Sequence, residues 1–126
     1  MLVRNNDSTK RVFVKKSWGY EEWIVNDPLY CMKFLVVFEG EWTSKGLYHY
    51  HKLKDETFYV LEGSLLLETV YNKTVDKVTL TPGDSYRIKP NIGHRFTAVK
   101  DTCKFIEVST QHFDSDSYRS ELKDLP

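Results

Sequence analysis

Short segments of β-forming residues, most of them closed by a turn signal, run along nearly all of this 126-residue chain. Before residue 110, no window of about 11–18 residues carries the apolar stripe of an amphipathic helix. Gly63, the Asn72-Lys73 pair and residues 81–84 mark turns, and Asn72-Lys73 suits the tip of a hairpin. Residues 30–38 are apolar on both faces, as expected of a strand buried between two sheets. Roughly eight to eleven short strands of this kind predict an all-β sandwich or barrel.

The length of the chain predicts a single domain spanning residues 1–126, because single domains cluster at this size. Residues 1–10 are polar apart from Leu2 and Val3, and we expect them to be flexible. Residues 111–126 form a polar C-terminal tail, in which we expect a short helix around residues 118–123.

Charge and hydropathy argue against several classes of function. Eighteen basic residues balance eighteen acidic ones and the sequence pI is about 6.9, so no broad nucleic-acid or membrane-binding surface is expected. The longest uninterrupted apolar run, residues 34–38, is far too short to cross a bilayer. The N-terminus lacks the apolar core of a secretory signal, so we predict a cytoplasmic protein.

The two cysteines, Cys31 and Cys103, lie far apart in the sequence and each falls within an apolar run. A disulfide between them is possible, but two thiols buried in strands fit the pattern better. A cysteine zinc site is excluded because the chain has no C-x-x-C pair.

His49 and His51 stand two residues apart on a predicted strand, so their side chains project from the same face. A charged turn over residues 52–55 lets Glu56 open the next strand close to both imidazoles. Two neutral imidazoles and one carboxylate, with coordination positions left open, are typical of a reactive divalent metal site. His94 follows a separate turn and can approach from another strand.

Each part of this pattern is weak when taken alone. An H-x-H pair on a strand often faces solvent or satisfies a hydrogen bond in the core. Three of the four histidines in the chain nevertheless fall within these two stretches. The joint pattern therefore predicts one bound divalent metal ion, with Zn, Mn, Fe, Ni and Co left open.

These two stretches resemble the paired motifs of the cupin superfamily, which are small double-stranded β-helix (jelly-roll) barrels. The first family motif runs H-x-H, three or four residues, Glu, six residues, Gly. His49, His51, Glu56 and Gly63 match it residue by residue. The glycine that precedes this motif in the family has no match at its usual spacing, so we expect a lengthened entering loop.

The second family motif is matched by Gly83 and His94, which keep its spacing. Lys89 stands in the slot that the family fills with Pro, and Asn91 stands in the slot for Gly. Asn is the non-Gly residue that best tolerates a left-handed backbone, so the turn can still form. The resemblance implies an all-β cupin jelly roll and four metal ligands: His49, His51, Glu56 and His94.

The ends of the chain look like those of the sugar-phosphate isomerase cupins, which include the type II mannose-6-phosphate isomerases. Residues 16–22 (KSWGYEE) resemble the opening of that group, and residues 106–110 with the later acidic residues resemble its ending. This resemblance implies a metal-dependent sugar or sugar-phosphate isomerase of carbohydrate metabolism. The metal would polarise the substrate carbonyl and a general base would move a proton between C1 and C2. We assign no catalytic residue, because the motif side chains are ligands and no other carboxylate is clearly inward.

Two alternatives share the same ligand set. One is an Fe(II)-dependent dioxygenase of a small metabolite, and the other is a non-catalytic cupin that binds a sugar or metabolite. In each case the expected partner is a small molecule, with no nucleic acid or membrane. Exposed strand edges and an aromatic-rich N-terminal segment lead us to expect a homodimer.

Lys33 and Arg119 are the candidate substrate-binding residues, since each could meet a phosphate in the cavity or instead face solvent. Trp18 is expected to pack at the closure of the barrel or in a dimer contact rather than to serve as a substrate platform. We expect His112 at the surface. A solvated turn is expected to hold Lys52, Lys54 and Asp55.

Overall fold

The computed structural model describes residues 12–126, so the flexibility expected of residues 1–10 concerns a segment outside the described residues. The described residues form eleven strands: β1 (Val12–Lys16), β2 (Gly19–Asn26), β3 (Cys31–Val37), β4 (Tyr48–Tyr50), β5 (Glu56–Glu62), β6 (Leu65–Tyr71), β7 (Thr74–Leu80), β8 (Ser85–Ile88), β9 (Gly93–Ala98), β10 (Cys103–Ser109) and β11 (Tyr118–Ser120). Short 3-10 turns occur at Thr43–Gly46, Asp114–Asp116 and Leu122–Asp124. No helix within residues 12–126 is both long and apolar enough to cross a membrane.

The strands form two antiparallel sheets that enclose a common core. One sheet has six strands in the order β1-β2-β3-β10-β5-β8, and the other has five in the order β11-β4-β9-β6-β7. Distant segments interleave in both, since β10 lies between β3 and β5 while β9 lies between β4 and β6. This arrangement confirms the predicted all-β jelly roll.

Three phenylalanines from different strands form the centre of the core. Phe58, Phe96 and Phe105 are at most 2% exposed, and their ring centroids lie 4.8–5.6 Å apart. Trp18 meets Phe96 edge to face at 5.5 Å and is itself only 7% exposed. Aromatic pairs at these distances add to the free energy gained from burial. The packing expected of Trp18 therefore agrees with the structure.

The turns occur at the residues for which the sequence predicted them. Asn72 and Lys73 have φ values of 52° and 65° at the tip of the β6–β7 hairpin, as predicted. Asn91 has a φ of 69°, the left-handed conformation expected of the residue in the glycine slot. Gly63 has a φ of 75°, and a Cβ built on it would lie 2.5 Å from the carbonyl oxygen of Thr102. Both conformation and space therefore require glycine at position 63.

Both cysteines are buried and free, which confirms the prediction of two thiols within strands. Cys31 lies opposite Ser109 and Cys103 lies opposite Val37, at the two ends of the β3–β10 pair. Six residues of strand span about 20 Å at about 3.3 Å per residue. That separation is far beyond the reach of a disulfide.

The expectation of a helix around residues 118–123 is wrong. The tail instead adds β11 to the edge of the five-stranded sheet, where Tyr118 lies opposite Tyr50. The two tyrosine rings stack at a centroid distance of 5.1 Å and an interplanar angle of 19°. A stacked cross-strand aromatic pair holds the segment extended, because a helix would turn Tyr118 away from its partner.

Candidate metal centre

The centre of the site is built from two facing strands and the turn that follows one of them. His49 on β4 lies directly opposite His94 on β9, with ring centroids 4.0 Å apart. His51, just after β4, meets His49 at a centroid distance of 5.5 Å, so the two share a face as predicted. One nitrogen from each ring lies within 4.8 Å of the other two. The three histidines therefore form a group that could hold a metal ion.

Glu56 completes the set at the start of β5. Its Oε2 atom lies 3.4 Å from Nε2 of His51 and 3.5 Å from Nε2 of His94. The side chain is 2% exposed, so it faces the interior with the imidazoles. The structure thus brings together all four residues that the sequence motifs single out.

Backbone carbonyls fix the orientation of two of the rings. Nδ1 of His51 donates to the carbonyl oxygen of Asp116 at 2.9 Å, and Nδ1 of His94 donates to that of Ile92 at 2.9 Å. Because Nδ1 carries the proton in these two rings, Nε2 keeps its lone pair toward Glu56. This is the usual way in which a protein orients histidine ligands.

Several polar atoms at the site are buried without a hydrogen-bond partner among residues 12–126. They are His49 Nδ1, His94 Nε2 and Glu56 Oε2. Buried polar atoms are normally paired, so three orphaned atoms in one place indicate a missing partner. A divalent cation suits a donor set of three imidazoles and one carboxylate, and the residues present fit such an ion.

The titration of the histidines suits the same role. Burial, with the Lys54 ammonium nearby, lowers the pKa of His51 to about 3 and that of His94 to about 4. Burial and the two neighbouring imidazoles lower the pKa of His49 well below its usual value. All three rings are therefore neutral near neutral pH, as metal ligation requires. Burial and the adjacent Glu107 raise the pKa of Glu56 well above its usual value, a shift that a bound cation would reverse.

A cavity of about 380 Å³ opens onto this group. Its lining includes His49, His51 and Glu56 together with the apolar rings of Phe58 and Phe96. Its volume falls in the range of sites for small molecules.

Both candidate substrate-binding residues line the cavity. Lys33 is 2% exposed, and its Nζ lies 3.7 Å from a carboxylate oxygen of Glu21 and 4.2 Å above the ring of Trp23. Arg119 is exposed and donates from Nε to Oγ of Ser44 at 3.1 Å. Strand alternation left the direction of Lys33 open, and the structure places it inward.

Lys54 was expected in a solvated turn, and that expectation is wrong. The side chain is 3% exposed, and its Nζ donates to Oε2 of Glu107 at 3.2 Å. Burial tends to raise the pKa of Glu107, but Lys54 and Lys33 outweigh it and lower the pKa to about 2. Glu107 is thus an inward carboxylate that sequence reasoning missed. Strand alternation with the apolar Cys103 and Phe105 was the signal that could have found it.

His112 was expected at the surface, and this too is wrong. Its side chain is 10% exposed and lines the cavity, with its ring 5.0 Å from that of Trp23. The Asn26 side chain accepts from the backbone N–H of His112 at 2.8 Å and donates to its carbonyl at 3.0 Å. This double contact draws the tail over the cavity, and Nε2 of the ring then donates to Asp114 at 2.9 Å. No local pattern in the sequence indicates it.

Fold and site together define a jelly-roll barrel whose interior cavity carries a candidate metal centre. The cupin domain family matches residues 34–109, more than half of the chain, and the protein therefore belongs to that family.

Solved structures with the same fold include oxalate decarboxylase from Bacillus subtilis, with a TM-score of 0.77 and 16% identity over 88% of this chain. The capsular polysaccharide assembling protein CapF from Staphylococcus aureus has a TM-score of 0.77 and 15% identity over 89% of this chain. This chain spans only 30% and 32% of those two proteins, so the likeness concerns the fold alone. No curated protein matches the chain.

Proposed function

We propose that the protein isomerises a small sugar or sugar phosphate, using a divalent metal held by His49, His51, Glu56 and His94. The observation that carries the proposal is the convergence of three neutral imidazoles and a carboxylate, with orphaned buried atoms, at the wall of a cavity. When bound, the metal supplies Lewis acidity toward a substrate carbonyl. The cavity volume of about 380 Å³ suits a ligand of hexose-phosphate size.

The charges around the cavity favour an anionic substrate. Four cationic side chains line it, namely Lys16, Lys33, Lys54 and Arg119. Four carboxylates balance them, namely Glu21, Glu56, Glu107 and Asp114. Because the lining histidines have lowered pKa values and are neutral, a divalent cation would leave the cavity with net positive charge. This balance supports a sugar phosphate over a neutral sugar.

Lys33 is the side chain we assign to the anionic group of the substrate. Its ammonium is nearly inaccessible to solvent, and its closest carboxylate, on Glu21, is 3.7 Å away, beyond ordinary hydrogen-bond distance. Arg119 is exposed on the cavity lining and is available to contact the same group.

The buried Lys54–Glu107 pair is the candidate for proton transfer. Lys54 keeps Glu107 ionised before the reaction. As Lys54 gives up its proton, the charge that holds the pKa of Glu107 low is lost, and the carboxylate becomes a stronger base toward the proton on C2 of the substrate. The electrons of that C–H bond form the C1–C2 double bond, and the carbonyl oxygen takes a proton from the Lys54 ammonium. Return of the proton from Glu107 to C1, with loss of the C2 hydroxyl proton to Lys54, turns C2 into the carbonyl and completes the isomerisation.

The experiment begins with elemental analysis of the purified protein and continues with a panel of sugar phosphates in D2O. Isomerisation predicts aldose–ketose interconversion with deuterium at C1 or C2, detected by NMR. Iron-dependent consumption of O2 would reject the isomerase activity and support the dioxygenase alternative, which uses the same ligand set. A ligand that binds tightly and returns without deuterium would instead indicate a binding protein.

We also propose that the protein is a cytoplasmic homodimer. The support for a dimer is that β1 lies at the edge of its sheet among residues 12–126, with Val12 49% exposed and Phe13 64% exposed. Apolar side chains on an open strand edge favour pairing with a second copy. Sedimentation analysis should give a dimer, and Phe13→Glu should shift it toward the monomer.

A further inference from the structure

One carboxylate from the C-terminal segment holds the turn between β4 and β5, two of the strands that carry candidate ligands. Asp116 Oδ1 accepts from the backbone N–H of Lys52 at 2.9 Å and of Leu53 at 3.1 Å. Oδ2 accepts from Leu53 at 3.3 Å and from Lys54 at 3.0 Å. Three successive amides thus surround a carboxylate that is 3% exposed. Charge-assisted bonds of this kind are about twice as strong as neutral ones.

The same residue also contacts a candidate ligand through its backbone. The carbonyl oxygen of Asp116 accepts the Nδ1 proton of His51 at 2.9 Å. That bond leaves Nε2 of His51 unprotonated and 3.4 Å from Glu56. Asp116 therefore fixes the turn that separates His51 from Glu56 and, at the same time, the ring orientation of His51.

We propose that Asp116 is a positioning residue of the metal centre, a role that rests on the metal site of the proposed function. Its side chain sets the distance between His51 and Glu56, and its carbonyl selects the His51 tautomer that can bind a metal. Asp116 is also the last residue of the 3-10 turn Asp114–Asp116. The first residue of that turn, Asp114, and the residue after it, Ser117, line the cavity. Docking of this segment is consequently coupled to metal affinity.

A purely structural role would cost stability and leave metal affinity unchanged. The two cases are separated by comparing Asp116→Ala with Leu80→Ala, a core variant at a residue that is 4% exposed and does not line the cavity. Asp116→Ala keeps the backbone carbonyl that contacts His51 but removes the side-chain bonds that hold this carbonyl in place. Loss of an orienting contact to a ligand typically weakens metal binding by about 10–100-fold. We expect that increase in the Kd for Co²⁺ in Asp116→Ala. Leu80→Ala should lower Tm and leave the Kd within about 3-fold of the parent.

Asp116→Asn provides a finer test and a substitute if Asp116→Ala does not fold. The amide oxygen can still accept from Lys52 and Leu53, but the amide nitrogen would face the N–H of Lys54. We expect a Kd for Co²⁺ between those of the parent and Asp116→Ala.

The tautomer of His51 gives a readout that needs no metal. In the metal-free parent protein, the ¹⁵N shifts of the imidazole should show Nδ1 protonated. In Asp116→Ala, or in Asp116→Asn if only that variant folds, the Nε2-protonated form should become populated. An unchanged tautomer together with an unchanged Kd would overturn the positioning role. Failure of the parent to bind Co²⁺ would instead reject the proposed metal site, and the tautomer would still report on Asp116.

Discussion

His49 and His94 lie directly opposite each other across the β4–β9 pair, with their ring centroids 4.0 Å apart. Residues opposite each other in an antiparallel pair share a face, so the register of this pair alone brings the two imidazoles together. A slip of β9 by one residue would turn His94 to the other face of the sheet. The candidate metal centre therefore depends on the sheet register as much as on the identity of its ligands.

Replacing two ligands should abolish metal binding without unfolding the barrel. His49→Ala with His51→Ala removes two of the three imidazoles and leaves the main apolar core untouched. Elemental analysis should find no stoichiometric metal, while circular dichroism should retain the β-sheet spectrum. His112→Ala is the matched control, since it removes the one histidine outside the candidate ligand set and should keep the metal. Full metal retention in the double variant would reject the site.

Removing the amine of Lys54 should destabilise the protein strongly. Lys54→Met leaves Glu107 buried without its hydrogen-bonded cation, and breaking a buried ion pair in this way costs about 3–5 kcal/mol. Urea unfolding should show that loss, whereas Lys123→Met, at a lysine whose side chain is 77% exposed, should change stability by less than about 0.5 kcal/mol.

A second substitution tests whether loss of the Lys54–Glu107 ion pair causes the destabilisation. Adding Glu107→Leu to Lys54→Met removes both charges, so the double variant should lose less than the sum of the two single losses. Strictly additive losses would mean that the two side chains contribute independently.

Gly63 and Gly40 form a matched pair that separates the cost of a steric clash from the cost of a left-handed backbone. Both have a φ of 75°, but a Cβ at Gly63 would meet backbone at 2.5 Å while a Cβ at Gly40 would meet nothing within 4 Å. Gly40→Ala should therefore cost only the left-handed strain, about 1–2 kcal/mol. Gly63→Ala should cost clearly more in the same urea titration. Equal losses at the two positions would show that the backbone of Thr102 moves aside.

The thiols should be unreactive in the folded protein. Burial raises the pKa of Cys103 to about 11, and burial likewise raises the pKa of Cys31. At pH 8 the Cys103 thiolate is then about 0.1% of the total, and only the thiolate reacts. Ellman's reagent should label neither thiol before denaturant is added and both afterward. The variant Asp124→Cys, at an exposed position, should react at once, and equally fast labelling of the parent would contradict the buried placement.

The first metal motif could be predicted because its information is local. His49 and His51 share a face through the period of a strand, and the short turn before Glu56 leaves few ways to place that carboxylate. Asn91 was likewise predictable, since few residues adopt its left-handed backbone. In these cases a residue type and a spacing of a few positions define the geometry.

The rest of the site depends on contacts between segments that are distant in sequence. Asp116 accepts hydrogen bonds from the backbone N–H groups of residues 52–54, and His112 is hydrogen-bonded to Asn26. The residues next to Asp116 and His112 in the sequence therefore do not predict their positions. Lys54 looked solvated because its partner, Glu107, lies on another strand. Such side chains become part of a site only when the tail folds back over the barrel.

Strand β10 lies between β3 and β5, although both come before it in the chain. During synthesis, β3 and β5 therefore each leave the ribosome with an edge that only β10 can fill, and the other edge of β5 waits for β8, which also comes later. The β6–β7 hairpin can pair at once, whereas closure of the six-stranded sheet joins distant segments and is correspondingly slow. Until β10 arrives, those two open edges can pair with other nascent chains. The period of greatest risk to this protein is thus the interval between the emergence of β5 and the insertion of β10.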